Sequence, residues 1–217
     1  MYGLVLLIGL AILAYRAVRP ETEGEGDLPH KIGDKLGRLW EIAHQGLREN
    51  KFLRAEKALL TILKIDEKNA AAYNRLGILY AKQREYRDAI GCFEIASSIE
   101  PSASSLHNLG LIYFETGNYE KALTAFEKAL DLEDGLAARH IAYAKALEKV
   151  GNDRKMIEEL KRAVELEPNK ESYSLLHHAY KTRGMESEAK EIMNKITKLI
   201  VPAGRPRRIL RPRKVSL

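Results

Sequence analysis

The sequence has one cysteine, Cys92, among 217 residues, so no disulfide can close within the chain. Prolines are few, at 7, and the 15 glycines follow no short period, which excludes collagen-like and low-complexity chains. Six histidines are present, at His30, His44, His107, His140, His177 and His178, but none form a helical His-x-x-x-His pair and no cysteine pair accompanies them. A zinc site of the usual spacing is therefore not expected. Gly24 and Gly26 are followed by no Lys-Ser or Lys-Thr, so a phosphate-cradling loop is also absent. Nothing in the sequence supplies a nucleophile with a base beside it. We expect no enzyme, no metal, no cofactor and no small-molecule substrate.

Charge is scarce in the first stretch and one-sided in the last. The formal net charge is +6, and residues 203–217 contain Arg205, Arg207, Arg208, Arg211, Arg213 and Lys214 with no acid. That segment accounts for the whole surplus, so the remainder of the chain is neutral. Pro202, Pro206 and Pro212 oppose a continuous helix there, and the segment is expected to be an extended basic tail. Such a tail suits anionic lipid headgroups or a nucleic-acid backbone. Aromatic residues are missing among its charges, so base stacking is not available to it.

From Met1 to Tyr15 the chain reads MYGLVLLIGLAILAY without a charged side chain. With Ala17 and Val18, and Arg16 inside it, the run becomes long enough, at about 27 Å as a helix, to approach the ~30 Å hydrocarbon core of a bilayer. A cleaved signal peptide would need a basic region before the apolar stretch and a small-x-small site after it, and the sequence shows neither. We therefore expect residues 1–19 to be a transmembrane anchor. Arg16 and Arg19 follow the span, which places the N-terminus outside and the rest of the chain in the cytoplasm. A secreted or periplasmic protein with a cleaved signal is the alternative. Residues 20–35, rich in Glu and Gly with little apolar periodicity, are expected to be a flexible tether.

The remainder repeats itself every 33 to 34 residues. In the clearest copy, Leu106, Leu109, Gly110, Tyr113, Gly117, Tyr119, Ala122, Phe126 and Ala129 recur in the order large apolar, Leu-Gly, Tyr, Gly, aromatic, Ala, Phe, Ala. The copy before it has Tyr73, Leu76, Gly77, Tyr80, Tyr86, Ala89, Phe93 and Ala96, with Arg84 where the clearest copy has Gly117. Three weaker copies lie around Leu39 to Ile62, Tyr143 to Pro168 and Tyr173 to Ile196. The pattern resembles the tetratricopeptide-repeat family over about three quarters of the chain. The resemblance implies an all-α fold, an α-solenoid of five helix-turn-helix repeats at 36–69, 70–102, 103–136, 137–169 and 170–202, preceded by the transmembrane helix. Each repeat would be an antiparallel helix pair that buries its apolar face only by stacking on its neighbours.

In that family the first helices of successive repeats line a concave groove that takes a peptide or a partner helix. Carried onto this sequence, the groove positions are Asn74, Arg75, Ile78, His107, Asn108, Leu111, Phe114, Ile141 and Lys145. The polar set by which some members hold a C-terminal carboxylate is incomplete, because Ala138 and Ala142 stand where Lys and Arg are required. The expected function is a membrane-anchored protein-binding adaptor or assembly scaffold, its partner another protein. A membrane tether for nucleic acid or the ribosome, acting through the tail, is the remaining alternative.

Overall fold

The computed structural model describes residues 28–200, and the expected anchor at 1–19 and tail at 203–217 lie outside them. Ten α-helices make up the described residues: α1 (Leu28–Arg48), α2 (Phe52–Ile65), α3 (Ala70–Lys82), α4 (Tyr86–Ile99), α5 (Ala103–Glu115), α6 (Tyr119–Leu132), α7 (Ala137–Lys149), α8 (Asp153–Leu166), α9 (Lys170–Thr182) and α10 (Glu186–Ile200). None of the helices among these residues is long and apolar enough to cross a membrane. The later part of the expected tether, from Leu28 to Lys35, is helical. Its cause is in the sequence: Ile32, Leu36, Leu39, Ala43 and Leu47 recur at helical spacing, and Pro29 is tolerated in a first turn, where its missing N–H is no loss.

The helices pair through turns of one design. Asn50, Arg84, Gly117, Gly151 and Gly184 occupy the left-handed region, with φ between 56° and 77°. The residue after each donates its N–H back to a carbonyl in the preceding helix: Lys51 to Gly46, Glu85 to Tyr80, Asn118 to Tyr113, Asn152 to Leu147 and Met185 to Tyr180, all at 2.8 to 3.0 Å. This six-to-one closure satisfies a carbonyl that the helix end leaves unpaired. It needs a residue at positive φ, which explains three glycines at that position.

The chain divides into two compact units at residue 75, within α3. In the first, α1 and α2 pack through Ala43, Leu47, Ala55, Leu59 and Ile62, all buried. A Cβ on Gly46 would stand 2.9 Å from that of Ala55, so the two helices approach at a contact only glycine allows.

The second unit carries the rest of α3 and the helices α4 to α10, and its core is continuous from Ala89 to Ile196. Gly77 lies under the Phe93 ring and Gly110 under the Phe126 ring, where an added Cβ would come within 2.7 Å and 2.6 Å. Phe93 and Phe126 are among the most completely buried side chains in the protein. In the next repeat the same interlock is made by Ala144 and Leu160, both buried. A smaller aliphatic partner leaves room for the methyl group, which is why that copy of the pattern looks degenerate in sequence. The first helices also differ in how they start. Ser102 and Asn169 cap α5 and α9 by accepting from the N–H of Ser105 and Ser172, whereas Leu136 precedes α7 without a side-chain cap.

Candidate functional site

The first helices α5, α7 and α9 of the second unit border a cleft of about 370 Å³. Its apolar floor is made by Leu111 and Phe114 of α5, Phe126 of α6, and Ala138, Ile141 and Ala142 of α7. Helical spacing produces this arrangement. Leu111, Phe114 and Glu115 project from one face of α5, and Ala138, Ile141, Ala142 and Lys145 from one face of α7. The opposite faces bear the core residues Leu109, Ile112 and Tyr113 of α5 and Tyr143, Ala144 and Leu147 of α7, all buried. Leu111 is 38% exposed, a large side chain left open because no helix of its own unit covers it. Phe114 is held at the mouth by the Tyr119 ring, 5.6 Å away between centroids.

The rim is polar. Glu115, Glu167, Asn169, Glu171 and Lys145 stand around the apolar floor. Asn169 is fixed by a reciprocal cap, its side chain accepting from the Ser172 N–H at 2.9 Å while its own N–H donates to Ser172 Oγ at 3.2 Å. Ser172 Oγ donates in turn to the Glu167 carbonyl. The backbone at this edge is therefore pinned, whereas the side-chain carboxylates of Glu115, Glu167 and Glu171 make no ion pair among the described residues and point to solvent. A chain laid along the cleft would meet an apolar base bordered mainly by negative charge.

His107 sits at the inner wall, its ring 5.6 Å from that of Phe126 and its Nδ1 buried without a hydrogen-bond partner. Burial, and then the positive charge of Arg139, push its ionisation below the usual histidine range, so the ring is neutral at physiological pH. Arg139 is itself buried. Its guanidinium donates to the Glu133 carbonyl at 3.0 Å and pairs with the Glu133 carboxylate at 2.8 Å. His140 beside it lies 2.8 Å from the Asp134 carbonyl through Nε2 and 2.7 Å from Glu159 through Nδ1. These two side chains of α7 tie it to the connection that precedes it and, through Glu159, to α8, which fixes the cleft's central helix even though Leu136 offers it no cap.

The structure gathers five of the expected groove residues, His107, Leu111, Phe114, Ile141 and Lys145, around this one cleft. Ile78 and Asn108 border a shallower depression of about 250 Å³, which Leu111 shares. Asn74 is half-buried and Arg75 exposed, and both belong to the first unit. The acidic rim went unanticipated: Glu167 and Asn169 lie in the connection before α9, where the repeat pattern carries no groove position. Among the described residues no three His, Cys, Asp or Glu side chains are placed to hold a metal ion. Cys92 is half-buried, and burial together with the nearby Asp88 carboxylate pushes its thiol up to about 11, which leaves it a poor nucleophile at neutral pH.

The relatives of this architecture agree with the repeat pattern. Two family models, both described as tetratricopeptide repeat, match residues 43–96 and 101–167, together more than half of the chain. No curated protein sequence matches. Among solved structures, a crystal structure of the MamA protein aligns over 76% of this chain and 91% of its own, at 22% identity and a TM-score of 0.67. MamA from residue 41 onward of Desulfovibrio magneticus RS-1 aligns over 77% and 96%, at 20% identity and 0.69. YrrB, described as a TPR protein with an unusual peptide-binding site, aligns over 71% and 80%, at 19% identity and 0.61. These likenesses are of fold. With the left-handed turns, the Gly-Phe interlocks and the family matches in agreement, the chain belongs to the tetratricopeptide-repeat family.

Proposed function

We propose that the protein is a protein-protein interaction scaffold that takes an extended peptide segment of a partner in the cleft between α5, α7 and α9. The observation that carries this reading is the cleft itself: Leu111, Phe114 and Ile141 share one lining on first helices of successive repeats and leave apolar surface open. An extended peptide would seat alternate apolar side chains on that row. Asn108, half-buried beside Leu111 in the adjoining depression, would contact the backbone of the segment as it continues. The fold likeness to a TPR protein with a peptide-binding site supports the same class of ligand. No catalytic role is needed for this activity, and none is proposed.

Anchoring is a separate part of the proposal. The uncharged run Met1 to Tyr15, followed by Arg16 and Arg19, supports a single membrane-spanning segment with the repeats on the cytoplasmic side. It would confine the scaffold to a bilayer surface and raise the local concentration of partners there. Extraction at alkaline pH tests it, since an anchored chain stays with the membrane pellet and a chain with a cleaved leader is released with its first residues missing.

The cleft is tested by photocross-linking in cells, with the cross-linker placed at Leu111 or, as control, at Lys128, which is exposed on the second helix α6. The reading expects a discrete adduct from position 111 whose linked segment is one stretch of extended chain, and little from 128. Equal adducts from both positions, or none from 111, would remove the cleft as the binding site.

A further inference from the structure

The acidic rim and the apolar floor of the cleft have a complement in this same chain. Residues 205–214 read RPRRILRPRK, in which Ile209 and Leu210 are flanked by Arg207 and Arg208 on one side and Arg211 on the other. The cleft's composition is complementary: Leu111, Phe114 and Ile141 share its lining with the unpaired carboxylates of Glu115, Glu167 and Glu171. Lys145 is the one cation on the cleft's lining and leaves the acids in the majority. The chain's direction brings the two together. Helices α9 and α10 form an antiparallel hairpin closed by the turn Arg183 to Met185, so the end of α10 at Ile200 lies beside the start of α9 at Lys170. That start is the cleft edge formed by Glu167, Asn169, Glu171 and Ser172. Leu210 follows Ile200 by ten positions, a reach of up to about 33 Å if extended, whereas crossing from α9 past α7 to α5 takes about two helix spacings, roughly 20 Å.

On the reading that the cleft takes a peptide, we infer that residues 203–217 of the same chain are an occupant of it, with Ile209 and Leu210 on the Leu111, Phe114 and Ile141 floor and the flanking arginines on Glu115, Glu167 and Glu171. Arginine suits the task, since its planar group pairs with a carboxylate through two hydrogen bonds. A partner would then have to displace the tail, and partners with a basic-apolar-basic sequence would compete best.

The test uses the full chain with a photocross-linker in place of Leu210, with adducts mapped by mass spectrometry. The expected product is a link within one chain to Leu111, Phe114 or Ile141. Its yield should fall at least tenfold when E115Q, E167Q and E171Q are combined, and again in 500 mM salt; these three side chains are exposed, so the helices should keep their stability. A link elsewhere, an adduct to lipid or nucleic acid in its place, or a yield indifferent to the three substitutions would overturn the inference. A second measurement separates its failure from that of the cleft. The chain stopped after Pro202, which retains all ten helices, is titrated with a labelled peptide of residues 203–217 and with a panel of unrelated apolar peptides. If panel peptides bind and the tail peptide does not, only the tail is excluded. If nothing binds, the peptide cleft falls with it.

Discussion

At the scale of single residues, the turn positions show most directly how chemistry sets conformation. Arg84 stands at φ 63°, where the corresponding positions of the next three repeats have glycine. A Cβ in that region costs about 1–2 kcal/mol, and the greater freedom of glycine in the unfolded chain returns roughly 0.5–1 kcal/mol of it. R84G should therefore stabilise the protein by about 0.5–1 kcal/mol, seen as a higher urea midpoint with unchanged slope. A lower midpoint would mean that the Arg84 side chain makes a compensating contact. His107 gives a pH prediction. Its folded-state ionisation is depressed by burial first and Arg139 second, so below the usual histidine value of about 6.5 the unfolded chain binds a proton that the folded chain resists. The stability contributed by the neutral ring is present above that pH and is lost as the pH falls below it. H107Q should flatten the acid limb of a stability-versus-pH curve below about pH 6.5, and an unchanged limb would place the titrating group elsewhere.

At the scale of helices, the connections decide which starts are secure. Ser102 and Asn169 cap α5 and α9, while α7 begins after Leu136, which is 48% exposed and already in the extended conformation of a capping residue, at φ −111° and ψ 115°. The geometry for a cap exists without the oxygen to make one. L136N should stabilise α7 by about 1 kcal/mol and raise the midpoint of thermal unfolding by a few degrees. No change would indicate that the Arg139 and Glu133 pair already does the work of the cap. The same scale shows where sequence reading succeeds and where it loses resolution. Helix pairing was legible because each repeat must hide the same small-to-large contact, Gly77 on Phe93 and Gly110 on Phe126, and that contact writes a fixed spacing into the chain. It faded at Ala144 and Leu160, where a different pair of sizes fills the same space. The helical stretch from Leu28 to Lys35 was missed because its glycine, Gly33, and its charges resemble a linker, while the apolar stripe that continues through it is sparse. Of the cleft, the floor could be read from the repeat pattern, since Leu111, Phe114 and Ile141 sit on first helices. The rim could not, because Glu167 and Asn169 belong to a connection whose position beside α7 depends on tertiary packing.

At the scale of the molecule, stacking leaves an apolar row on α5 and α7 partly uncovered, and on the reading proposed above this row is what the protein uses. In the second unit the core is continuous, and its larger side chains are hidden in pairs between helices. What remains open on α5 and α7 is apolar in the middle and mostly acidic around it, a surface suited to an extended chain with cationic flanks and a poor one for folding stability alone. The most direct measurement is the affinity of a fluorescent peptide carrying an apolar pair between arginines, read by anisotropy against the chain stopped after Pro202 and against its L111D variant. Leu111 is partly exposed, so the substitution should leave the helical circular dichroism intact while placing a charge on the floor. The account predicts saturable binding that L111D weakens at least tenfold, a loss of about 1.4 kcal/mol or more. Binding of equal strength to both chains would contradict it.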